Sequence, residues 1–422
     1  GTHVHTTGPG SHGNSCTALE TDQMSSASRP RIAAISTVIW KEKASHARTI
    51  VGKYLFGFNE DGNDPKPDAQ VVSLYTHQTP PDDISRQWSQ QTGIPWFRTI
   101  HEALTLGTDE LAVDGVMLVA EHGDYEFNDK EQKLYPRFEL FLQIVDTFRR
   151  TGHSVPVFND KHLSYRWTNA KRMVELSKEL DFPFMAGSSL PVNYRYPEME
   201  FPWGARAEHG VVVAPGPIDS YGFHMLEAVQ CLIERREGGE TGVAAVQCLE
   251  GAAIWAFLDS TPWAEKLFDA ALACSQKPSE NPRDDDKAAL FRVWYRDGVE
   301  TAIFRLPRGA GDFCVAVDVE GQPQPLATMM WRNRPDNRSF DSLILQADQM
   351  YQTGRAAYPI ERTLLVSGIL DLLLESRIGG HERIETPQLD VAYQVEDRSF
   401  HVEQDAISPW GPAPAADDGA AG

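Results

Sequence analysis

The chain has 422 residues, with 60 acidic side chains against 39 basic ones and a formal charge of −21. So acidic a surface repels phosphate backbones and anionic lipid, which excludes nucleic acid and membrane surfaces as partners. The length asks for two or three domains, and no apolar run is long enough to span a bilayer.

Residues 1–28 are rich in Gly, Ser, Thr and His and read as a flexible leader. Beyond them strands and helices alternate. Arg31–Ser36 is a short apolar run, and a helical pattern follows from His46. Val71–Tyr75 reads as a strand, and the stretch from Asp82 to Gly93 reads as a helix. Ile94–Phe97 reads as a short strand, and the stretch from Ile100 reads as a helix. Val113–Ala120 is a buried strand, and a helix from Pro136 stops at Gly152. Ser154–Phe158 is a strand, Asn169–Asp181 a helix, and Phe182–Ala186 a strand. Such alternation predicts right-handed βαβ units and a parallel sheet over 29–205.

After about residue 205 the rhythm changes. A helix from Phe223 is followed by strand-like runs at 243–250, 289–298, 300–307, 313–319 and 327–333, and a late helix occupies 361–380. Consecutive strands predict an α+β domain with a mostly antiparallel open sheet over 206–403, followed by a disordered tail over 404–422. The fold class is therefore α/β, with a Rossmann-like domain first. The five cysteines (Cys16, Cys231, Cys248, Cys274 and Cys314) are scattered and form no CxxC pair. Reduced thiols and a cytoplasmic location follow as the expectation.

Open parallel sheets bind ligands beyond the carboxyl ends of their strands. Three such ends here are polar: Glu121-His122-Gly123-Asp124-Tyr125, then Asn159-Asp160-Lys161-His162, then Gly187-Ser188-Ser189. Carboxylate and imidazole together suit a divalent metal, Zn, Mn or Fe. Glu121, His122, Asp160 and His224 are the expected ligands. Lys161, His162 or Asp124 would move a proton. Arg137, Tyr165, Ser188 and Ser189 would position substrate oxygens. His46, His77 and His153 are expected to be structural or exposed.

At these positions the sequence resembles the Gfo/Idh/MocA family (glucose–fructose oxidoreductase, inositol dehydrogenase and their relatives) over roughly residues 29–395. The family's Glu-Lys-Pro motif, with its catalytic lysine, corresponds to Asp160-Lys161-His162, so Lys161 is kept and His162 replaces the proline. Its Asp-x-Gly-x-His motif corresponds to Ser220-Tyr221-Gly222-Phe223-His224, with His224 kept and Asp219 beside the substituted Ser220. Arg383–Pro387 is similar to the end of the family's second domain. The resemblance implies NAD(P) chemistry on a sugar or polyol, and an open sheet that packs against a partner subunit in a homodimer or higher oligomer.

Two fingerprints of that chemistry are missing. The glycine-rich turn after the first strand reads Ser36-Thr37-Val38-Ile39-Trp40-Lys41, without a glycine. The second strand ends Tyr75-Thr76-His77-Gln78, without the acidic residue that holds the ribose. The first expectation is therefore a metal-assisted, redox-neutral hydrolase or lyase acting on a small polyhydroxylated or carbonyl compound. The alternatives are an NAD(P)-dependent sugar or polyol oxidoreductase, and a non-catalytic binding protein of the same fold.

Overall fold

The computed structural model describes residues 28–41, 45–330 and 338–402. Residues 1–27 and 403–422, which carry the expected leader and tail, lie outside them. The first half runs β1 (Arg31–Ser36), α1 (His46–Phe56), β2 (Gln70–Thr76), α2 (Ser85–Thr92), α3 (Ile100–Thr105), β3 (Gly115–Val119), α4 (Arg137–Thr151), β4 (Val157–Asp160), α5 (Trp167–Glu179) and β5 (Phe184–Gly187). Its strands are all parallel, in the order β2-β1-β3-β4-β5. Helices cover both faces, which is why β3 reads as an unbroken apolar run with every residue buried.

α4 shows how sequence makes these layers. Leu140, Phe141, Ile144, Val145 and Phe148 fall on one stripe and are buried. Full burial of each such side chain contributes about 1.5–3 kcal/mol. Gly152, at φ 71°, ends the helix in the left-handed conformation that glycine tolerates best. Ile94–Phe97 is not a strand. It meets β2 through a single bridge between Leu74 and Trp96, because Pro95 interrupts the donor pattern a ladder needs.

The second half runs β6 (Arg195–Tyr196), β7 (Ala207–Ala214), α6 (Ser220–Ile233), β8 (Val243–Glu250), α7 (Ala252–Ser260), α8 (Pro262–Leu272), β9 (Ala289–Tyr295), β10 (Glu300–Arg305), β11 (Cys314–Val319), β12 (Leu326–Met330), α9 (Asp341–Thr353), α10 (Ile360–Ile378) and β13 (Ile384–Glu385). These strands form one sheet in the order β13-β8-β9-β10-β7-β11-β12-β6. Its pairs are antiparallel except β7 with β10. α6 and α10 pack against this sheet on the side of the main core. A second cluster joins Leu267, Phe268 and Ala271 of α8 to Val211, Val213, Phe304 and Ala316. α8 thus covers part of the surface expected to meet a partner subunit.

The chain then returns to the first sheet. The Tyr351 hydroxyl donates to the Val116 carbonyl at 3.0 Å, and Asp348 accepts the amides of Asp68 and Ala69 at 2.8 Å each. α10 packs against both α5 and α6. This places the start of α6 over the carboxyl ends of β3, β4 and β5. No helix among the described residues is long and apolar enough to cross a membrane.

Candidate active site

Glu121 follows β3 and Lys161 follows β4, the neighbouring strand. Both strand ends turn sharply: His122 has φ 70° and Lys161 φ 65°. Left-handed backbone at a non-glycine residue costs on the order of 1–3 kcal/mol and gathers where function demands it. The Lys161 amide donates to the Gly187 carbonyl at 3.1 Å, which holds the turn in place.

Glu121 is the centre of a buried ion cluster. Its Oε1 lies 3.0 Å from Lys161 Nζ, and its other oxygen accepts from the guanidinium of Arg137. Burial pushes the Glu121 carboxyl up, but Lys161 and Arg137 outweigh that and hold it well below the usual carboxylate range. Lys161 Nζ also donates to the Ser220 carbonyl at 3.3 Å, at the start of α6. Arg137 is 0% exposed and lies over the Tyr135 ring, with a guanidinium nitrogen 3.4 Å from His162 Nε2. Burial, followed by Arg137, pushes the His162 imidazole well below its ordinary value.

Two further groups flank the cluster. His224 Nδ1 lies 2.5 Å from the Ser188 hydroxyl. Asp219, just before α6, accepts the Lys133 amide at 3.2 Å, and burial raises its carboxyl to about 6. On the side of β1, His46 Nδ1 lies 2.6 Å from Asp160, and the His122 ring packs beside those of Trp40 and His46. Burial lowers the His122 imidazole to about 4.

The residues expected to hold a metal are therefore engaged separately. Glu121 is neutralised by two cations, Asp160 pairs with His46, and His224 pairs with Ser188. Among the described residues no group of three or more His, Cys, Asp or Glu side chains is arranged to hold a metal ion. The physical reason is the arrival of Arg137 and His46 from helix starts that sequence spacing does not connect to the strand ends. Arg137 thus anchors Glu121. Asp124 is exposed, and its backbone is held by Gln78. Tyr165 is half-buried under Arg166, and its carbonyl accepts from Gln132. Ser189 is buried at the start of the 190–192 turn.

Residues 37–40 run beside 83–84 before the chain reaches α1: the Ile39 amide donates to Asp83, and the Ile84 amide to the Ile39 carbonyl, both at 2.8 Å. Val38 and Ile39 are buried. The loops after β2 and β3, which flank β1, join each other. Gln78 Nε2 donates to the Asp124 carbonyl at 2.9 Å, and the Asp124 amide donates to Gln78 Oε1 at 2.8 Å. His77 Nδ1 lies 2.7 Å from the Tyr125 hydroxyl, with the rings stacked. These residues do not fit a dinucleotide held in the usual glycine-lined manner, because side chains and loop contacts fill the approach that glycines would leave open.

Several buried polar atoms of this region carry no hydrogen bond: His122 Nε2, Arg137 Nε, Asn159 Oδ1, His162 Nδ1 and Asp219 Oδ1. Sequence reasoning missed His46, Tyr135 and Glu227. A signal existed for Glu227 alone, which follows His224 by three residues and so shares its helix face.

No family model and no curated protein matches the sequence. Solved structures do. A probable dehydrogenase from Thermotoga maritima matches with a TM-score of 0.53 at 13% identity, covering 85% of this chain and 99% of that one. GenD2 from gentamicin A biosynthesis, in complex with NAD, matches with a TM-score of 0.53 at 12% identity, covering 85% and 97%. A myo-inositol dehydrogenase from Lactobacillus casei, in complex with NAD(H) and myo-inositol, matches with a TM-score of 0.51 at 10% identity, covering 88% and 99%. These neighbours are dehydrogenases of the Gfo/Idh/MocA type, and the resemblance read from the sequence is borne out at the level of fold.

Proposed function

We propose that this chain is an oxidoreductase acting on a small polyhydroxylated compound, a sugar or polyol, with Lys161 moving the hydroxyl proton. The observation that carries this reading is the Lys161–Glu121 pair, held at two strained strand ends and capped by the first turn of α6. A lysine fixed in this way is pre-positioned for general acid–base work at a hydroxyl-bearing carbon. Both expected units contribute, with Lys161 from 29–205 and His224 from 206–403.

The expected hydrolase or lyase has less support, because its metal ligands are engaged elsewhere. Two of the neighbours named above, GenD2 and the Lactobacillus casei enzyme, are in complex with NAD or NAD(H), which makes a nicotinamide the first electron acceptor to try. The loops over β1 do not fit it in the usual pose, so no step here runs through it.

The test is to incubate the full chain with a panel of sugars and polyols, supplying NAD+ or NADP+, and to weigh the products by mass spectrometry. Loss of two hydrogens from a panel member supports the reading. Gain or loss of water overturns it in favour of hydrolysis or elimination.

A further inference from the structure

Glu227 lies about one turn beyond His224 on α6 and is 0% exposed. Its carboxylate grips the turn after β5. Oε2 accepts the Ser188 amide at 2.8 Å, and Oε1 accepts the Thr363 hydroxyl, from α10, at 3.0 Å. A Cβ on Gly187 would sit 2.7 and 3.0 Å from the two carboxylate oxygens, and Gly187 has φ 130°. With this carboxylate above it, the turn therefore requires glycine.

The same turn touches both halves of the site. Its Gly187 carbonyl receives the Lys161 amide, and its Ser188 hydroxyl meets His224 Nδ1. We propose that Glu227 is a positioning residue that locks the 187–188 turn and so sets Lys161 and His224 relative to each other. The inference rests on the role given above to Lys161.

A carboxylate serving only the core would be expected to take the nearest cation. Arg362 is instead paired with Glu234, whose Oε2 lies 2.9 Å from the Arg362 Nε. Glu227 faces Arg362 and Thr363 of α10, Tyr358 before α10, and Glu234 at the end of its own helix. Burial pushes its carboxyl up to about 7, against the pull of Arg362 and the Ser188 amide. Protonation removes the charge that holds the Ser188 amide, so the grip on the turn weakens near neutral pH.

The test is nuclear magnetic resonance of the full chain carrying 15N-labelled serine and histidine, followed across about pH 5 to 9. The Ser188 amide should show an inflection near pH 7, and His224 should show one at the same midpoint. Both should vanish in Glu227→Gln. A His224 signal without the Ser188 midpoint overturns the proposal, as does an unchanged profile in Glu227→Gln. If that variant does not fold, Thr363→Val removes one bond to the carboxylate and leaves the Ser188 amide in place. It should move the shared midpoint upward, and an unmoved midpoint also overturns the proposal. Neither readout needs turnover, so failure of the coupling is distinguishable from failure of the oxidoreductase reading.

Discussion

Lys161 Nζ stands 3.0 Å from Glu121 Oε1, each at the end of one of two adjacent parallel strands. Parallel neighbours put their carboxyl ends side by side, so residues far apart in sequence meet without any long-range signal between them. Arg137 approaches the same carboxylate from the start of α4 and completes a buried cluster of two cations on one anion.

That stoichiometry predicts an order of stabilities. Glu121→Gln leaves Lys161 and Arg137 buried without their anion, and the loss should reach about 3–5 kcal/mol. Lys161→Met keeps the Glu121–Arg137 pair and should cost clearly less. Urea denaturation of both variants reads the difference, and equal losses contradict the description of Glu121 as the shared partner.

The pH dependence of stability should carry two opposing slopes. His122 is lowered from 6.5 to about 4, so between those values the unfolded chain takes a proton that the folded chain refuses. The stability it contributes above pH 6.5 is lost as the pH falls toward 4. Asp219 is raised from 3.8 to about 6, so the folded chain keeps the proton longer. Its contribution, complete below pH 3.8, is lost as the pH rises through 6. Melting temperatures across this range should rise less steeply with pH in His122→Asn and more steeply in Asp219→Asn. Shifts of the same sign would contradict these assignments.

The loops over β1 give a third prediction. Breaking the Gln78–Asp124 and His77–Tyr125 contacts is part of the cost of admitting a dinucleotide, at about 0.5–1.5 kcal/mol for each hydrogen bond. The double variant His77→Ala/Gln78→Ala should therefore bind NAD+ about tenfold more tightly than the parent chain, or more, by titration calorimetry. Equal or weaker binding would show that these loops do not guard the crevice.

Much of the site was legible because polar residues at the ends of apolar runs stand out. Glu121, Lys161 and Ser188 each follow a buried strand; Glu121 and Lys161 pair directly, and Ser188 flanks them beside His224. Their partners were not legible. Arg137 and His46 open helices whose direction depends on packing, and nothing in their spacing points to Glu121 or Asp160. The metal set expected from Glu121, His122, Asp160 and His224 foundered on those arrivals. In the fold, β7 escaped notice because Gly210 interrupts its strand pattern, although its place at the sheet's centre buries Val211, Val212 and Val213. α8 was missed despite a clear helical spacing of Ala264, Leu267, Phe268 and Ala271.

The most direct measurement compares Lys161→Met with the parent chain in the mass-spectrometric assay of sugars and polyols. Loss of a general acid–base group should lower the rate of hydrogen loss from the substrate by about 10²–10⁴-fold while the protein stays folded. An unchanged rate in Lys161→Met, or no hydrogen loss from any panel member in the parent chain, would contradict the account.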